Sequence, residues 1–286
     1  MRSLRTPSNA ETTMQSFRTA LVALGAWLLL AATAPVAAQT RPARTEPGGE
    51  PVRSILWVGN SFFYYNNSMH GHYNELANAA DPNGKYRGTS VTISGSGLDW
   101  HDVASYLQPG GIAKYSFVPG NKIVFNPPGR QFDAVIMMDC SQCPIHPQLE
   151  GAFRDSVKKD AAIVKEYGAR PILFMSWAYK DHPEMTAQLA EQYTLAGNAN
   201  DALVIPAGLA FAKAVAKRPS LELYQPDQRH PTLAGTYLAA CTTYASVQKK
   251  SPVGNKYTAG LDPELAAFLQ RVAADTVHEY FGVDYR

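Results

Sequence analysis

The sequence predicts an α/β fold in which helices cover both faces of a parallel β-sheet. Its 286 residues, 45% hydrophobic and 17% charged, suit one medium-sized globular domain. Five short apolar runs have the continuity expected of strands buried on both faces. These runs span residues 55–58, 91–93, 134–138, 172–175 and 203–205. Longer segments with helical periodicity separate them, and this alternation is typical of parallel sheets with right-handed crossovers.

The N-terminus carries the pattern of a secretory signal peptide. Arg2, Arg5 and Arg18 precede an uncharged run at residues 20–32, and Val36 and Ala38 occupy the −3 and −1 places of a signal-peptidase site. The alternative is an uncleaved membrane anchor, but a 13-residue run is short for a span of about 20 residues. We therefore expect a signal peptide at residues 1–38, export to the periplasm or beyond, and no stable membrane span after cleavage.

Two further boundaries follow from composition. Residues 39–52 contain several Pro and Gly residues and are predicted to form a flexible leader, so residues 53–286 form a single domain. Within it, residues 152–167 repeat apolar side chains at helical spacing. Asp262 and Pro263 are typical of the start of a second helix near the C-terminus.

The charge balance excludes one class of function. The chain has 26 Lys and Arg against 24 Asp and Glu, so its net charge of +2 provides no basic field for nucleic acid. Three cysteines are too few for a disulfide scaffold. No spacing of residues predicts a metal or an organic cofactor, and the oligomeric state is left open.

The end of the first strand offers a nucleophile. Gly59 permits a tight turn, which would place the Ser61 hydroxyl above the carboxyl edge of the sheet, where ligands bind in open parallel sheets. The alternative is that Asn60 and Ser61 only cap the helix that follows. The pattern is not the G-x-S-x-G elbow, because Phe63 occupies the last place.

A base and its orienting carboxylate lie far downstream. Asp227 and His230 are three residues apart in a polar loop before a helix that starts near Leu233. One loop could bring the carboxylate against the imidazole, leaving the other ring nitrogen for a serine. A turn-capping Asp227 and a solvated His230 are the alternative.

These two segments resemble the first and last sequence blocks of the SGNH (GDSL-like) hydrolases. The matching residues are Gly59-Asn60-Ser61 and Asp227-x-x-His230-Pro231, and residues 176–180 and 235–240 are similar to segments of poorly characterised, exported bacterial members. The resemblance covers roughly residues 53–282. It implies a three-layer α/β/α sandwich of the flavodoxin-like type with a five-stranded parallel sheet. It also implies ester hydrolysis by Ser61, His230 and Asp227.

The resemblance implies an oxyanion hole as well. The backbone N–H of Ser61 would contribute, together with that of Gly97, which is preferred to Gly95. The third family block, Gly-x-Asn-Asp, is replaced here by residues 139–143, in which Gln142 falls near the asparagine position. A side chain one methylene longer would have to reach the developing charge at about 2.7–3.1 Å.

Other residues near the strand ends are candidates for binding the substrate. Asn60, Tyr64, His101 and Trp177 could line the cleft, although capping and core packing explain them as well. Cys140 and Cys143 could form a local disulfide or a redox pair.

The sequence thus predicts an exported serine esterase or O-acetyl esterase that acts on a small-molecule or glycan ester without a cofactor or a metal. A catalytically degenerate binding module for an envelope glycan or lipid is the alternative, favoured by the altered third block. A redox protein built on Cys140 and Cys143 is the third possibility.

Overall fold

The structure is a computed structural model that describes residues 40–118 and 120–285. The signal peptide predicted at residues 1–38 lies outside the described residues. The described chain contains one five-stranded parallel sheet, with helices packed against it, and a separate two-stranded hairpin.

The strand order in the large sheet is β2-β1-β5-β6-β7, and every neighbouring pair is parallel. Strands β1, β5, β6 and β7 are almost entirely buried, as their apolar sequences predict. The strands of both sheets are β1 Ser54–Gly59, β2 Arg87–Thr92, β3 Tyr115–Val118, β4 Lys122–Phe125, β5 Ala134–Met137, β6 Arg170–Phe174 and β7 Leu203–Ile205.

Helices flank the sheet and complete the predicted α/β/α sandwich. Helices α2, α6, α7 and α8 pack together, and α3, α4 and α5 form a second group. None of the helices in the described ranges is long and apolar enough to cross a membrane. The helices are α1 Ser61–Tyr64, α2 Met69–Ala80, α3 Val103–Leu107, α4 Glu150–Glu166, α5 Met185–Ala199, α6 Ala207–Lys217, α7 Leu233–Gln248 and α8 Pro263–Phe281.

Two features differ from the sequence prediction. Strand β2 was expected to be buried on both faces, but it is the edge strand of the sheet and its residues are only half-buried, because no strand of the described residues pairs with its outer side. The antiparallel hairpin formed by β3 and β4 was not predicted.

Residues 40–52, expected to form a flexible leader, lie along the domain. The Thr40 hydroxyl donates to Glu191, and Arg44 forms an ion pair with Asp201. Farther along, Gln248 donates to the carbonyl oxygen of Val52. The segment has no regular secondary structure, but side chains of the domain hold it in place.

Candidate active site

Ser61 lies at the carboxyl end of β1, where a one-turn helix begins. The Asn60 side chain caps this helix by accepting a hydrogen bond from the backbone N–H of Phe62 at 3.2 Å. The Phe63 ring packs so close to Gly59 that a Cβ at position 59 would lie 2.9 Å from it, which favours glycine there. Ser61 is 8% exposed, so the residue is buried at the carboxyl end of the sheet.

The three residues that the sequence nominated for catalysis are adjacent. His230 Nε2 lies 2.8 Å from the Ser61 hydroxyl oxygen, and His230 Nδ1 contacts the Asp227 carboxylate. Because a carboxylate only accepts hydrogen bonds, Nδ1 carries a proton and Nε2 of the neutral ring can accept the serine proton. This is the arrangement needed for a serine nucleophile with a histidine base.

The loop geometry sets the charge of Asp227. Desolvation would raise the pKa of this carboxyl, but the His230 ring and the backbone N–H groups of Arg229 and His230 donate to it and lower its pKa to about 2. Hydrogen bonds to the charged form stabilise that form. The carboxylate is therefore ionised at neutral pH and fixes the histidine ring.

Contacts from two directions hold the loop that carries His230. The Trp177 indole donates to the carbonyl oxygen of Arg229 at 2.9 Å, and the Lys180 backbone N–H donates to that of Gln228. On the opposite side, the Asn66 side chain donates to the carbonyl oxygen of Pro231 and to the Thr236 hydroxyl, both at 2.8 Å. Asn66 therefore links the segment after the nucleophile to the segment after the base.

Aromatic rings enclose the imidazole. Tyr65 stacks on His230, with ring centroids 4.2 Å apart and planes 12° from parallel, and Phe62 contacts it edge-on. Sequence reasoning missed the roles of Tyr65 and Asn66. The only signal was their position four and five residues after Ser61, because their partners are about 165 residues away.

Three of the four predicted substrate contacts are buried and engaged elsewhere. Asn60 donates to the carbonyl oxygens of Ser96 and Asp139, and so joins the ends of β1, β2 and β5. The His101 ring lies against Ser96 and the carbonyl oxygen of Gly59, and burial lowers its pKa. Trp177 is fully buried between Phe62 and Phe211.

Tyr64 is the exposed member of this set. Its hydroxyl donates to the Ser94 hydroxyl at 3.1 Å, and its ring stacks against Tyr65. It therefore lies on the outer side of the aromatic layer that begins at His230. The buried positions of Asn60, His101 and Trp177 differ from the expected substrate contacts, because capping and packing use their polar atoms.

The predicted oxyanion residues occupy two loops. Gly97 lies in the loop after β2, and a Cβ there would meet Asp99 and Asp139 carboxylate oxygens at 2.5 and 2.9 Å, so a larger residue would require these side chains to move. Gln142 is exposed in the loop after β5. Ser141, in the same loop, has its hydroxyl 2.6 Å from the Tyr179 hydroxyl.

Cys140 and Cys143 are joined in a disulfide that closes this loop. Together with Asp139 they form a group whose potential ligand atoms lie within 4.8 Å of one another. The sulfurs are disulfide-bonded, and metal ligation by cysteine requires the thiolate. The group therefore does not suit a metal ion in this oxidation state. Burial raises the pKa of the Asp139 carboxyl to about 6.

Comparison with known proteins relates the fold to the SGNH hydrolases. No family model matches the sequence, and no curated protein does. Solved structures do match. One is a DUF4886 family protein from Bacteroides uniformis, 18% identical, with a TM-score of 0.56, covering 81% of this chain and 97% of that one.

Two further structures extend the relationship. A proposed SGNH hydrolase from Slackia heliotrinireducens is 23% identical with a TM-score of 0.50, covering 68% of this chain and 97% of that one. A catalytic mutant of an acetylxylan esterase from Geobacillus stearothermophilus is 14% identical with a TM-score of 0.50, covering 68% and 93%. The predicted resemblance is confirmed at the level of the fold: the chain has the α/β/α sandwich of the SGNH hydrolases.

Proposed function

We propose that the protein is a serine hydrolase that cleaves carboxylic esters. The observation that carries this proposal is the contact of Ser61 with His230 Nε2 at 2.8 Å, together with that of His230 Nδ1 with Asp227. A pure binding protein has no physical need for this set. These residues also lie at the carboxyl end of the parallel strands, where ligands bind in open α/β folds.

The reaction follows from these contacts. The Ser61 oxygen attacks the ester carbonyl carbon while His230 Nε2 takes the hydroxyl proton, and Asp227 stabilises the resulting imidazolium. The tetrahedral oxyanion would accept hydrogen bonds from the backbone N–H groups of Ser61 and Gly97. When the carbon–oxygen bond breaks, His230 returns the proton to the leaving alcohol. Water then attacks the acyl-serine by the same route and releases the acid.

Esters of small acyl groups on carbohydrates are the first substrates to test. The support is the acetylxylan esterase among the structural neighbours, at 14% identity. Tyr64 and Tyr65 supply an aromatic surface beside His230, a type of surface on which a sugar ring or an acyl group can pack.

Export is part of the proposal. The N-terminal pattern supports it, and so does the Cys140–Cys143 disulfide, since such bonds persist in oxidising compartments. Expressed in a bacterial host, the protein should be recovered from the envelope or medium with Gln39 as its first residue. A chain that keeps residues 1–38 would contradict this part of the proposal.

A fluorophosphonate probe tests the mechanism directly. An activated serine displaces fluoride from phosphorus, so the intact mass should increase by one phosphonyl group on the parent chain and on Ser94→Ala, but not on Ser61→Ala. The parent chain and Ser94→Ala should also hydrolyse p-nitrophenyl acetate, whereas Ser61→Ala should not. A folded parent chain that forms no adduct would refute the serine mechanism and favour the envelope binding module.

A further inference from the structure

The connection between α1 and α2 has a strained backbone. Its residues Asn66, Asn67 and Ser68 have φ values of 51°, 66° and 70°, so three successive residues other than glycine lie in the left-handed region. A Cβ disfavours this region, and such residues keep it only where surrounding contacts fix them. We call residues 66–68 the left-handed turn. The contacts that fix this turn also determine where the Asn66 side chain points.

Helix α2 supplies contacts to both ends of the left-handed turn. His72 Nε2 lies 2.7 Å from the carbonyl oxygen of Asn66, the first residue of the turn. His70 Nδ1 lies 2.6 Å from the hydroxyl oxygen of Ser68, the last residue. His72 is therefore the histidine that contacts Asn66 itself.

The His72 ring is buried and held on two edges. A carbonyl oxygen only accepts, so Nε2 carries a proton, and Nδ1 of the neutral ring accepts from the Tyr257 hydroxyl at 2.7 Å. Tyr257 is held in turn by the Tyr237 hydroxyl, which donates to its carbonyl oxygen at 2.6 Å. The position of the ring is therefore set by α7, which carries Tyr237, as well as by its own helix.

Asn66 joins this ring to the loop that carries the base. The Asn66 side chain donates to the carbonyl oxygen of Pro231, which directly follows His230, and to the Thr236 hydroxyl. Its backbone carbonyl accepts from His72. One residue thus contacts His72 through its backbone and the His230 loop through its side chain.

We propose that His72 is a positioning residue that keeps His230 within reach of Ser61 by fixing Asn66. Its effect on catalysis rests on the proposed function, whereas its effect on the His230 loop does not. A shift of the Asn66 amide would release Pro231 and with it the imidazole, whose Nε2 lies 2.8 Å from the Ser61 oxygen. A misplacement of about 1 Å can lower a rate on the order of 10²-fold, so His72 can affect turnover without contacting the substrate.

Two substitutions separate the roles of the two ring nitrogens. In His72→Gln, the side-chain amide can occupy the place of Nε2 and donate to the Asn66 carbonyl oxygen, while the contact with Tyr257 is lost. In His72→Asn, the shorter amide can reach only the place of Nδ1, so the contact with Asn66 is lost. Each variant replaces a buried imidazole by an amide, and each is therefore the control for the other.

Two further variants protect the test against effects on folding. His72→Phe keeps a ring in the core but donates no hydrogen bond, so it should behave like His72→Asn if that variant does not fold. Tyr280→Phe removes a hydroxyl that lies 2.7 Å from the Thr194 hydroxyl, far along the chain from the left-handed turn. It is the control for a general loss of stability.

Hydrolysis of p-nitrophenyl acetate measures the effect on catalysis. In His72→Asn, kcat should fall about tenfold with little change in KM, because the position of the base is altered rather than the substrate surface. In His72→Gln and Tyr280→Phe, kcat should stay within about threefold of the parent value. Adding His72→Asn to Asn66→Gly should cause no further loss, since the link through the Asn66 amide is already absent.

Hydrogen exchange measures the His230 loop directly and needs no activity. The backbone amides of residues 224–232 should exchange severalfold faster in His72→Asn than in the parent chain, His72→Gln or Tyr280→Phe. An inactive parent chain in which this difference is present would refute ester hydrolysis and still support the link between His72 and the loop.

Three outcomes would overturn the proposal. The first is an equal fall of kcat in His72→Asn and His72→Gln, which would make His72 a packing residue. The second is unchanged exchange of residues 224–232 in His72→Asn. The third is a further tenfold loss when His72→Asn is added to Asn66→Gly, because independent effects add and His72 would then not act through Asn66.

Discussion

Two loops near Ser61 are built differently. On the His230 side, His230 contacts Ser61, the Asp227 carboxylate and two aromatic rings, and its loop is held by Trp177 and Asn66. On the Asp139 side, residues 139–143 follow β5 and form a loop with a disulfide and an exposed Gln142. The His230 side is therefore held by many mutually supporting contacts, whereas the loop of the Asp139 side is closed by its own disulfide.

The carboxylates of the two sides also differ in their preferred charge. The hydrogen bonds from His230 and the backbone lower the pKa of Asp227 to about 2. Burial raises the pKa of Asp139 to about 6, although the Cys140 backbone N–H donates to it. Hydrogen bonds therefore stabilise Asp227 as an anion, whereas burial favours the protonated form of Asp139.

Removing the charge on the His230 side should have the largest effect. In Asp227→Asn, the amide can donate to His230 Nδ1 and favour the wrong tautomer, so kcat should fall by about 10³–10⁴-fold with little change in KM. Steady-state hydrolysis of p-nitrophenyl acetate measures this. The control is Asp181→Asn, an exposed carboxylate near the same loop. A fall of less than tenfold would mean that Asp227 does not orient the base.

The second largest effect concerns stability on the Asp139 side. The folded pKa of Asp139 is about 6 and the reference value is 3.8, so the folded state binds the proton more tightly. This group's contribution to stability is therefore fully present below about pH 4 and is lost as the pH rises through 6. The loss is on the order of 3 kcal/mol.

Comparing the parent chain with a variant isolates the contribution of Asp139 to the pH dependence of stability. The free energy of unfolding in urea is measured from pH 4 to pH 7 for the parent chain and for Asp139→Asn. As the pH rises from 4 to 7, the free energy of unfolding of the parent chain should fall relative to that of Asp139→Asn. For Asp227→Asn the sign is opposite and the window lies lower, because stabilisation by that carboxylate is lost as the pH falls towards 2. A pH-independent difference for Asp139→Asn would contradict the buried, protonatable state.

A sharper test of the His230 side is the link through Asn66. The φ of Asn66 is 51°, in the left-handed region that glycine adopts without strain. The suitable variant is therefore Asn66→Gly, which allows the same backbone conformation and removes the side-chain amide. Loss of the hydrogen bonds to Pro231 and Thr236 should let the His230 loop move and lower kcat about 10–100-fold. The matched control is Asn67→Gly, an exposed neighbour with a φ of 66°.

Two results would separate positioning from a general loss of stability. In Asn66→Gly, kcat should fall more than KM rises, and the pH profile of kcat should change, because the contact between base and nucleophile is altered. A variant that melts earlier but keeps kcat would make Asn66 a structural residue only. Equal losses in Asn66→Gly and Asn67→Gly would have the same meaning.

The same contrast explains which parts of the site could be predicted. Asp227 and His230 interact within one loop, and Ser61 directly follows a strand, so local spacing was enough to nominate them. Tyr65 and Asn66 act on residues about 165 positions away, and only the folded chain shows this. Asn60, His101 and Trp177 were located correctly near strand ends, but sequence cannot tell whether such a side chain faces the cleft or the core.

The fold was predictable for a similar reason. All five strands of the sheet were predicted from continuous apolar runs, and four of them are buried on both faces, where strands lack polar side chains. Strand β2 is half-exposed at the edge, where this rule does not apply. The hairpin of β3 and β4 was missed although Tyr115 and Phe117 alternate with Ser116 and Val118, and Gly120-Asn121 is a turn signal that could have found it.

The smallest effect is expected at Gln142, the side chain that the family resemblance nominates for the oxyanion hole. It is exposed in the loop closed by the disulfide, and an amide in contact with water is a poorly organised donor. Gln142→Ala should therefore change kcat/KM by less than about threefold, as should the control Gln148→Ala in the same segment. Removing a true oxyanion donor typically lowers kcat by about 10²–10³-fold. A loss of that size confined to Gln142→Ala would show that the amide turns inward when substrate binds. The proposed oxyanion hole would then depend on a side chain, as the His230 side does.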